Sequence, residues 1–99
     1  MAIFGRHQHI YGGVAPNGLV LFGEGFTSHK IKEGTYIVEF NQLFSSLPAP
    51  VCTINGPEWK TFNLSISIAD VAPYHFVCVT SSPDRPVNCA FTFIVFGDI

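Results

Sequence analysis

The sequence predicts an all-β domain, an antiparallel β-sandwich of about six to eight strands, on three observations. Short segments of alternating apolar and polar residues recur along the chain, as the two-residue period of a strand requires. Clusters of Gly, Pro, Asn and Asp separate these segments, and such residues form tight turns. No segment has the spacing of an amphipathic helix. Residues 1–99 are therefore predicted to form a single sandwich domain, with residues 1–10 as a flexible or inter-subunit arm.

The first half of the chain contains four predicted strands, over residues 8–12, 19–22, 25–30 and 35–40. The segment Ala15-Pro16-Asn17-Gly18 predicts a turn after the first strand, because Pro fixes φ and Asn-Gly accepts positive φ. Gly23 and Gly25 indicate a bulge or kink before the third strand. Residues 32–34 form the next predicted turn, and strand 35–40 then places its apolar side chains on one face.

The second half contains four more predicted strands, over residues 51–54, 61–69, 74–80 and 89–96. Strand 61–69 has the sharpest alternation, with four apolar side chains on one face: Phe62, Leu64, Ile66 and Ile68. The last strand is apolar on both faces near its end, where Phe93 and Val95 alternate with Ile94 and Phe96. A strand of this kind needs a covering layer on each side. One layer is the opposite sheet, and we expect a neighbouring subunit to supply the other.

The composition also predicts a homo-oligomer. Hydrophobic residues make up 47% of the chain and charged residues 12%, against roughly 25% charged in an average soluble domain. The net charge is −2 and Lys and Arg do not cluster, which argues against nucleic acid as a partner because phosphate binding needs clustered cations. No apolar run approaches the length of about 20 residues that spans a bilayer. We therefore expect no membrane span.

The N-terminal residues and the cysteines bear on localisation. Residues 1–13 lack the apolar core of a secretory signal, so we expect a cytoplasmic protein or one released without a signal. Three cysteines, Cys52, Cys78 and Cys89, are an odd number in such a chain. They are expected to be buried, reduced thiols within strands and not a disulfide framework.

Five segments occur in an order typical of one group of domains: residues 13–18 (GVAPNG), 23–27 (GEGFT), 34–40 (GTYIVEF), 44–48 (FSSLP) and 90–97 (AFTFIVFG). In this order they resemble a small domain found at the C-termini of bacteriophage tail-fibre proteins. The second half also resembles H-type lectins in its Phe-rich last strand and in Phe44 spaced four residues before Pro48. The resemblance covers about residues 11–98.

This resemblance implies an H-type lectin-like β-sandwich that assembles as a trimer or hexamer, with ligands at loops or subunit junctions. It also implies that the chain is a component of a virion or phage-like particle. The sequence departs from the lectins in two places, because residues 61–69 contain no Arg and no Trp-His pair follows Phe76. Galactose specificity is therefore not carried over.

Candidate ligand-binding residues lie in the loops, where sandwich domains commonly carry recognition. They combine aromatic platforms with hydrogen-bonding neighbours: Trp59, Tyr74, His75, Asp84 and Arg85. Tyr74, His75, Asp84 and Arg85 are explained more simply as solvated turn residues, and Trp59 is equally explained as a side chain folded over the edge of the core. We predict no catalytic residues and no cofactor, since no Gly-x-Ser-x-Gly, His-Glu-x-x-His or Cys-x-x-Cys motif occurs.

His7 and His9 are candidate metal ligands. Alternation along a strand places residues two apart on one side, so three copies around an axis would present six imidazoles. The interpretation that we favour is a solvated N-terminal segment that binds no metal. We therefore predict no metal site.

The sequence as a whole predicts a non-catalytic receptor- or carbohydrate-binding module of a trimeric or hexameric assembly, with a glycan or cell-surface receptor as its ligand. The alternative is a structural trimerisation domain of a phage or phage-like particle without a ligand of its own.

Overall fold

The computed structural model describes residues 7–99 and confirms the predicted fold class, a β-sandwich of two four-stranded antiparallel sheets. Its strands are β1 (His7–Val14), β2 (Val20–Gly23), β3 (Phe26–Lys32), β4 (Thr35–Phe40), β5 (Ala49–Ile54), β6 (Ser65–Ala72), β7 (His75–Ser81) and β8 (Phe91–Asp98). One short helix, α1 (Glu58–Thr61), joins β5 to β6. Residues 7–10 of the predicted arm belong to β1, and the rest of that arm lies outside the described residues.

Each sheet combines strands from both halves of the chain. Sheet A has the strand order β2-β1-β8-β5, and sheet B has the order β3-β4-β7-β6. The last strand therefore pairs with the first, over the full length from His7 opposite Asp98 to Val14 opposite Phe91. This pairing brings the two ends of the described chain together in the centre of sheet A.

The core lies between the inner faces of the sheets and is rich in aromatic rings. The buried members include Ile10, Val14, Phe26, Tyr36, Val38, Phe40, Phe44, Phe76, Cys78, Phe91, Phe93 and Val95. Several rings meet edge to face, among them Phe26 with Phe93 at 4.8 Å and Phe40 with Phe44 at 5.2 Å between centroids. Aromatic pairs prefer this geometry because the positive edge of one ring meets the negative face of the other. The period of two in β4, β7 and β8 thus builds one continuous core.

The strand predicted over 61–69 is partly wrong. Residues 58–61 form α1 instead, which follows Pro57 and is closed by the Thr61 hydroxyl donating to the Pro57 carbonyl at 3.0 Å. Phe62 is consequently outside the sheet and 77% exposed. Pro57 is the N-cap residue of α1, and Glu58 lies in the first turn, where a negative charge is stabilised by the helix dipole. This local preference overrides the apolar alternation. Ile66 and Ile68 do pack against the core, as predicted.

The three cysteines are unpaired. Cys52 and Cys78 lie in β5 and β7, whereas Cys89 precedes β8 and is not in a strand. Cys78 is fully buried, and its pKa is raised by contact with the Cys52 thiol and by burial. The contact links the two sheets through the core. No helix within residues 7–99 has the length and apolar character to cross a membrane.

Candidate functional site

The structure places the five predicted ligand-binding residues at opposite ends of sheet B. His75 is the first residue of β7, and Tyr74 immediately precedes it. Asp84 and Arg85 follow the last residue of that strand, Ser81. Six residue steps at about 3.3 Å each separate the two ends by about 20 Å. Within one chain the predicted residues therefore form two groups and not one site.

The first group occupies the β6–β7 hairpin. The Tyr74 and His75 rings meet edge to face with 4.6 Å between their centroids. His75 Nε2 lies 3.1 Å from Asp70 Oδ2. A register shift between Ile68 and Asp70 turns the Asp70 carboxylate to the outer face of sheet B, where it faces His75. Sequence alternation gave no indication of this shift.

The second group lies at the other end of the sandwich. Trp59 is on α1 and is 74% exposed, with the Lys60 ammonium 5.8 Å from its ring centroid. Asp84 lies at the tip of a small hairpin in which the Ser82 amide donates to the Arg85 carbonyl at 2.9 Å. Both Asp84 and Arg85 are exposed. Exposed aromatic and charged side chains thus converge on the end of the molecule that carries α1.

A cleft of about 340 Å³ opens at this same end. Its volume falls within the range of about 300–1,000 Å³ that is usual for small-molecule sites. The lining combines apolar side chains with a few polar ones, including Pro57, Leu64, Val87, Asn55, Lys60 and Asn88. Trp59, Asp84 and Arg85 do not line it; Trp59 is the neighbour of Lys60 on α1.

The cleft is held in shape by a buried hydroxyl. Tyr36 is completely buried, and its hydroxyl donates to the Pro16 carbonyl at 2.7 Å and accepts from the Cys89 amide at 3.2 Å. Pro16 and Cys89 both line the cleft. Burial raises the pKa of the Tyr36 hydroxyl and also that of the Cys89 thiol. Both groups are therefore neutral at physiological pH, and the cleft carries one ammonium, that of Lys60.

Asn88 fixes another part of this lining. Its Oδ1 accepts from the Gly34 amide at 2.8 Å. Gly34 has φ of +69°, and a Cβ there would lie 2.5 Å from the Thr80 carbonyl oxygen, so a glycine is required. The bond uses the amide oxygen of Asn88 and leaves its NH₂ group as a hydrogen-bond donor.

A second exposed feature is the outer face of sheet A, which points away from the core. Strand register places three rows of residues across it: His9, Phe96 and Ala49; Tyr11, Ile94 and Val51; Gly13, Thr92 and Thr53. At the β2 side, Phe22 is opposite Gly13. Tyr11 and Val51 are 57% and 58% exposed. The sequence predicted a second apolar face on the last strand. The structure has this face, because Ile94 and Phe96 point away from the core.

The candidate metal ligands lie at one end of this face. His9 packs its ring 5.4 Å from that of Phe96, and His7 is opposite Asp98 in the β1–β8 register. Among residues 7–99, no group of three or more His, Cys, Asp or Glu side chains is arranged to hold a metal ion. A recess of about 490 Å³ lies beside the same strand and is lined by His9, Tyr11, Phe22 and Glu24.

The sequence singled out Trp59, which lies on α1 at the same end of the molecule as the cleft. It did not predict the cleft itself. The turn Asn55-Gly56-Pro57 was recognisable, and it supplies part of the lining. The contribution of Asn88 was not recognisable, because its partner Gly34 lies 54 residues away in the chain. Only the pairing of distant strands brings these segments together.

Comparisons with known proteins return no match, whether with protein-family models, with curated proteins or with solved structures. The resemblance to tail-fibre domains and H-type lectins accordingly stays a prediction from the sequence.

Proposed function

We propose that this chain is a non-catalytic receptor- or carbohydrate-binding module of a trimeric or hexameric assembly, related to phage tail-fibre tips and H-type lectins. The observation that carries the ligand-binding part is the cleft beside α1, with Trp59 exposed next to it. Its mixed lining suits a ligand that has both apolar and hydroxyl-bearing faces.

A sugar ring has this chemistry. Its C–H face stacks on an exposed aromatic ring such as Trp59, and its hydroxyls accept from an ammonium or an amide such as those of Lys60 and Asn88. Lys60 also favours a sugar that carries a carboxylate or sulfate, since no acidic side chain is among the residues that line the cleft. We therefore place acidic and neutral glycans first among the ligands to be tested.

The test is a broad glycan array followed by titration of the best ligand against single variants. Trp59→Ala and Lys60→Ala should each weaken binding about 10- to 100-fold, the effect expected for one lost stacking or charge-assisted contact. Tyr74→Ala, at the other end of sheet B, is the matched control and should bind like the unchanged chain. Equal loss for Tyr74→Ala, or no binding to any glycan or cell-surface receptor, would rule out the cleft as the site.

A second candidate function is a structural assembly domain that trimerises or caps a phage or phage-like particle. The apolar outer face of sheet A favours it, because such a face serves association whether or not a ligand binds. Mutations distinguish the ligand-binding module from the structural assembly domain. For the assembly domain, Trp59→Ala and Arg85→Ala should leave every measured property of the particle unchanged, and only variants that alter the oligomer should have an effect.

A further inference from the structure

We infer that the outer face of sheet A is buried against another copy of this chain, with Tyr11, Val51, Ile94 and Phe96 at its centre. The inference rests on the homo-oligomeric part of the proposed function and identifies the surface responsible. It does not depend on the nature of any ligand.

The two outer faces differ in charge. At the centre of the outer face of sheet A, the three rows of residues and Phe22 contain no Asp, Glu, Lys or Arg. A fourth row at one end of this face pairs His7 with Asp98, and Asp98 is exposed. The outer face of sheet B differs, because it carries Glu39 and Asp70, with His29 3.9 Å from Glu39 and His75 3.1 Å from Asp70. Charged groups are depleted from the centres of protein interfaces and retained on solvated faces. We therefore assign the solvated side of the sandwich to sheet B and the associating surface to the centre of the outer face of sheet A, with Asp98 at its rim.

The apolar surface continues from β1 to the edge strand β2. Gly13 lies beneath the Phe22 ring, and a Cβ on Gly13 would lie 2.4 Å from that ring. The absence of a side chain lets the ring lie against β1, beside the recess that His9, Tyr11 and Glu24 also line. All four residues of β2 are exposed. The apolar surface available for association therefore extends to the edge of the sheet.

The area of the face is close to what a protein interface needs. The strands β1, β2, β5 and β8 are eight, four, six and eight residues long. At about 4.8 Å between strands and about 3.3 Å per residue, they give a footprint of about 400 Å². Burying this footprint on one copy and the equivalent area on its neighbour removes about 800 Å² from water, and protruding side chains raise this value towards the lower limit of about 1,000 Å² for a specific protein interface. The footprint also matches the largest apolar patch that a monomer usually exposes, and such a patch is often functional.

A second copy is the occupant that this face fits. The uncharged centre of the face offers nothing to select a charged partner, whereas it packs on the same face of a second copy without opposing like charges. Contacts between copies of one chain usually close into a symmetric assembly, most often around a two-fold axis. The low charge of the whole chain, 12% of residues, is consistent with a surface that is partly covered in this way.

The test uses paired lysine substitutions on the two outer faces. Val51→Lys places a charge on the edge strand β5 of sheet A, and Ser67→Lys places the same charge on the edge strand β6 of sheet B. Both positions are exposed in the single chain, so both variants should fold, as far-ultraviolet circular dichroism and a thermal melt would verify. Mass is then measured by light scattering after gel filtration.

We expect Val51→Lys to weaken self-association about 100-fold or more, since an unpaired charge in an apolar contact costs several kcal/mol. Ser67→Lys should leave the mass unchanged, and Phe96→Lys should repeat the effect of Val51→Lys. If the unchanged chain is an oligomer and the two sheet A variants keep its mass, this face is not the interface, although the oligomeric proposal survives. If the unchanged chain is itself a monomer, both fail.

Discussion

At the scale of single residues, Tyr36 connects the core to the candidate site. It belongs to the inner face of β4, yet its hydroxyl satisfies two backbone groups, on Pro16 and Cys89, that border the cleft. Buried backbone groups without a hydrogen-bond partner are costly. A single side chain therefore contributes both to packing between the sheets and to the shape of the cleft.

Tyr36→Phe should lower the free energy of unfolding by about 1–3 kcal/mol, because it leaves the Pro16 carbonyl and the Cys89 amide unsatisfied without changing the packed ring. Urea denaturation measures the change. Tyr74→Phe is the matched control, since the Tyr74 side chain is exposed in the β6–β7 hairpin, away from sheet A, and it should alter the stability by less than about 0.5 kcal/mol. Equal effects of the two variants would show that the buried hydroxyl contributes nothing.

The folded state should lose stability at alkaline pH because of the buried Cys78 thiol. The Cys52 contact and burial raise the pKa of Cys78 above the ordinary thiol value of 9.0. Because its pKa is higher in the folded state, Cys78 contributes stability that is fully present below pH 9 and declines as the pH rises above it. The decline has a limiting slope of about 1.4 kcal/mol per pH unit for one group.

Denaturation at pH 8 and pH 10 measures this decline. Cys78→Ala should be less stable at pH 8 and should lose less stability between the two values than the unchanged chain does. If Cys78→Ala loses as much stability between pH 8 and pH 10 as the unchanged chain, the alkaline effect comes from other groups. Candidates are Cys89 and Tyr36, whose pKa values are also raised.

At the scale of elements, the sequence predicted strands best where apolar alternation and turn residues agreed. Strand β4 has the predicted bounds, Thr35–Phe40, because glycine ends the preceding turn and alternation is unbroken. The region 57–69 was predicted less well. There a helix-favouring Pro-Glu start competes with the alternation of Phe62 and Leu64, and the local signal determines the structure.

The cleft could not be predicted from sequence for a similar reason. It lies where the α1 segment, the β1–β2 turn and the segment before β8 meet. Only long-range contacts, such as that between Asn88 and Gly34, bring these segments together. Trp59 lies at the end of the molecule that carries the cleft, whereas Tyr74 and His75 carried the same loop signals and lie at the opposite end. Composition and turn chemistry identify exposed loops, but not which loops converge.

The revised course of β6 is tested by truncating one apolar side chain on each side of its first residue, Ser65. Phe62→Ala should change the free energy of unfolding by less than about 0.5 kcal/mol, because Phe62 is exposed. Ile68→Ala should cost about 2–4 kcal/mol, since Ile68 packs against the core. Thermal denaturation of the two variants gives both values. Comparable losses of stability would indicate that Phe62 packs against the core as Ile68 does, as in the uninterrupted strand predicted over 61–69.

At the scale of the whole molecule, the two faces of the sandwich have different chemistry. The outer face of sheet B carries Glu39 and Asp70, each with a histidine nearby. The centre of the outer face of sheet A presents uncharged side chains, mostly aromatic and aliphatic, and Asp98 lies at one end of it. An assembly built through sheet A would leave the cleft beside α1 at one end of each subunit, and repeated weak sites on such an assembly would bind with increased avidity.

Sedimentation equilibrium of the unchanged chain over a range of concentrations tests this account most directly. We expect a mass of three or six chains at micromolar concentration and above. A monomer that remains monodisperse and melts sharply at high concentration would contradict this expectation, because the apolar centre of the outer face of sheet A would then be stable in water without a partner.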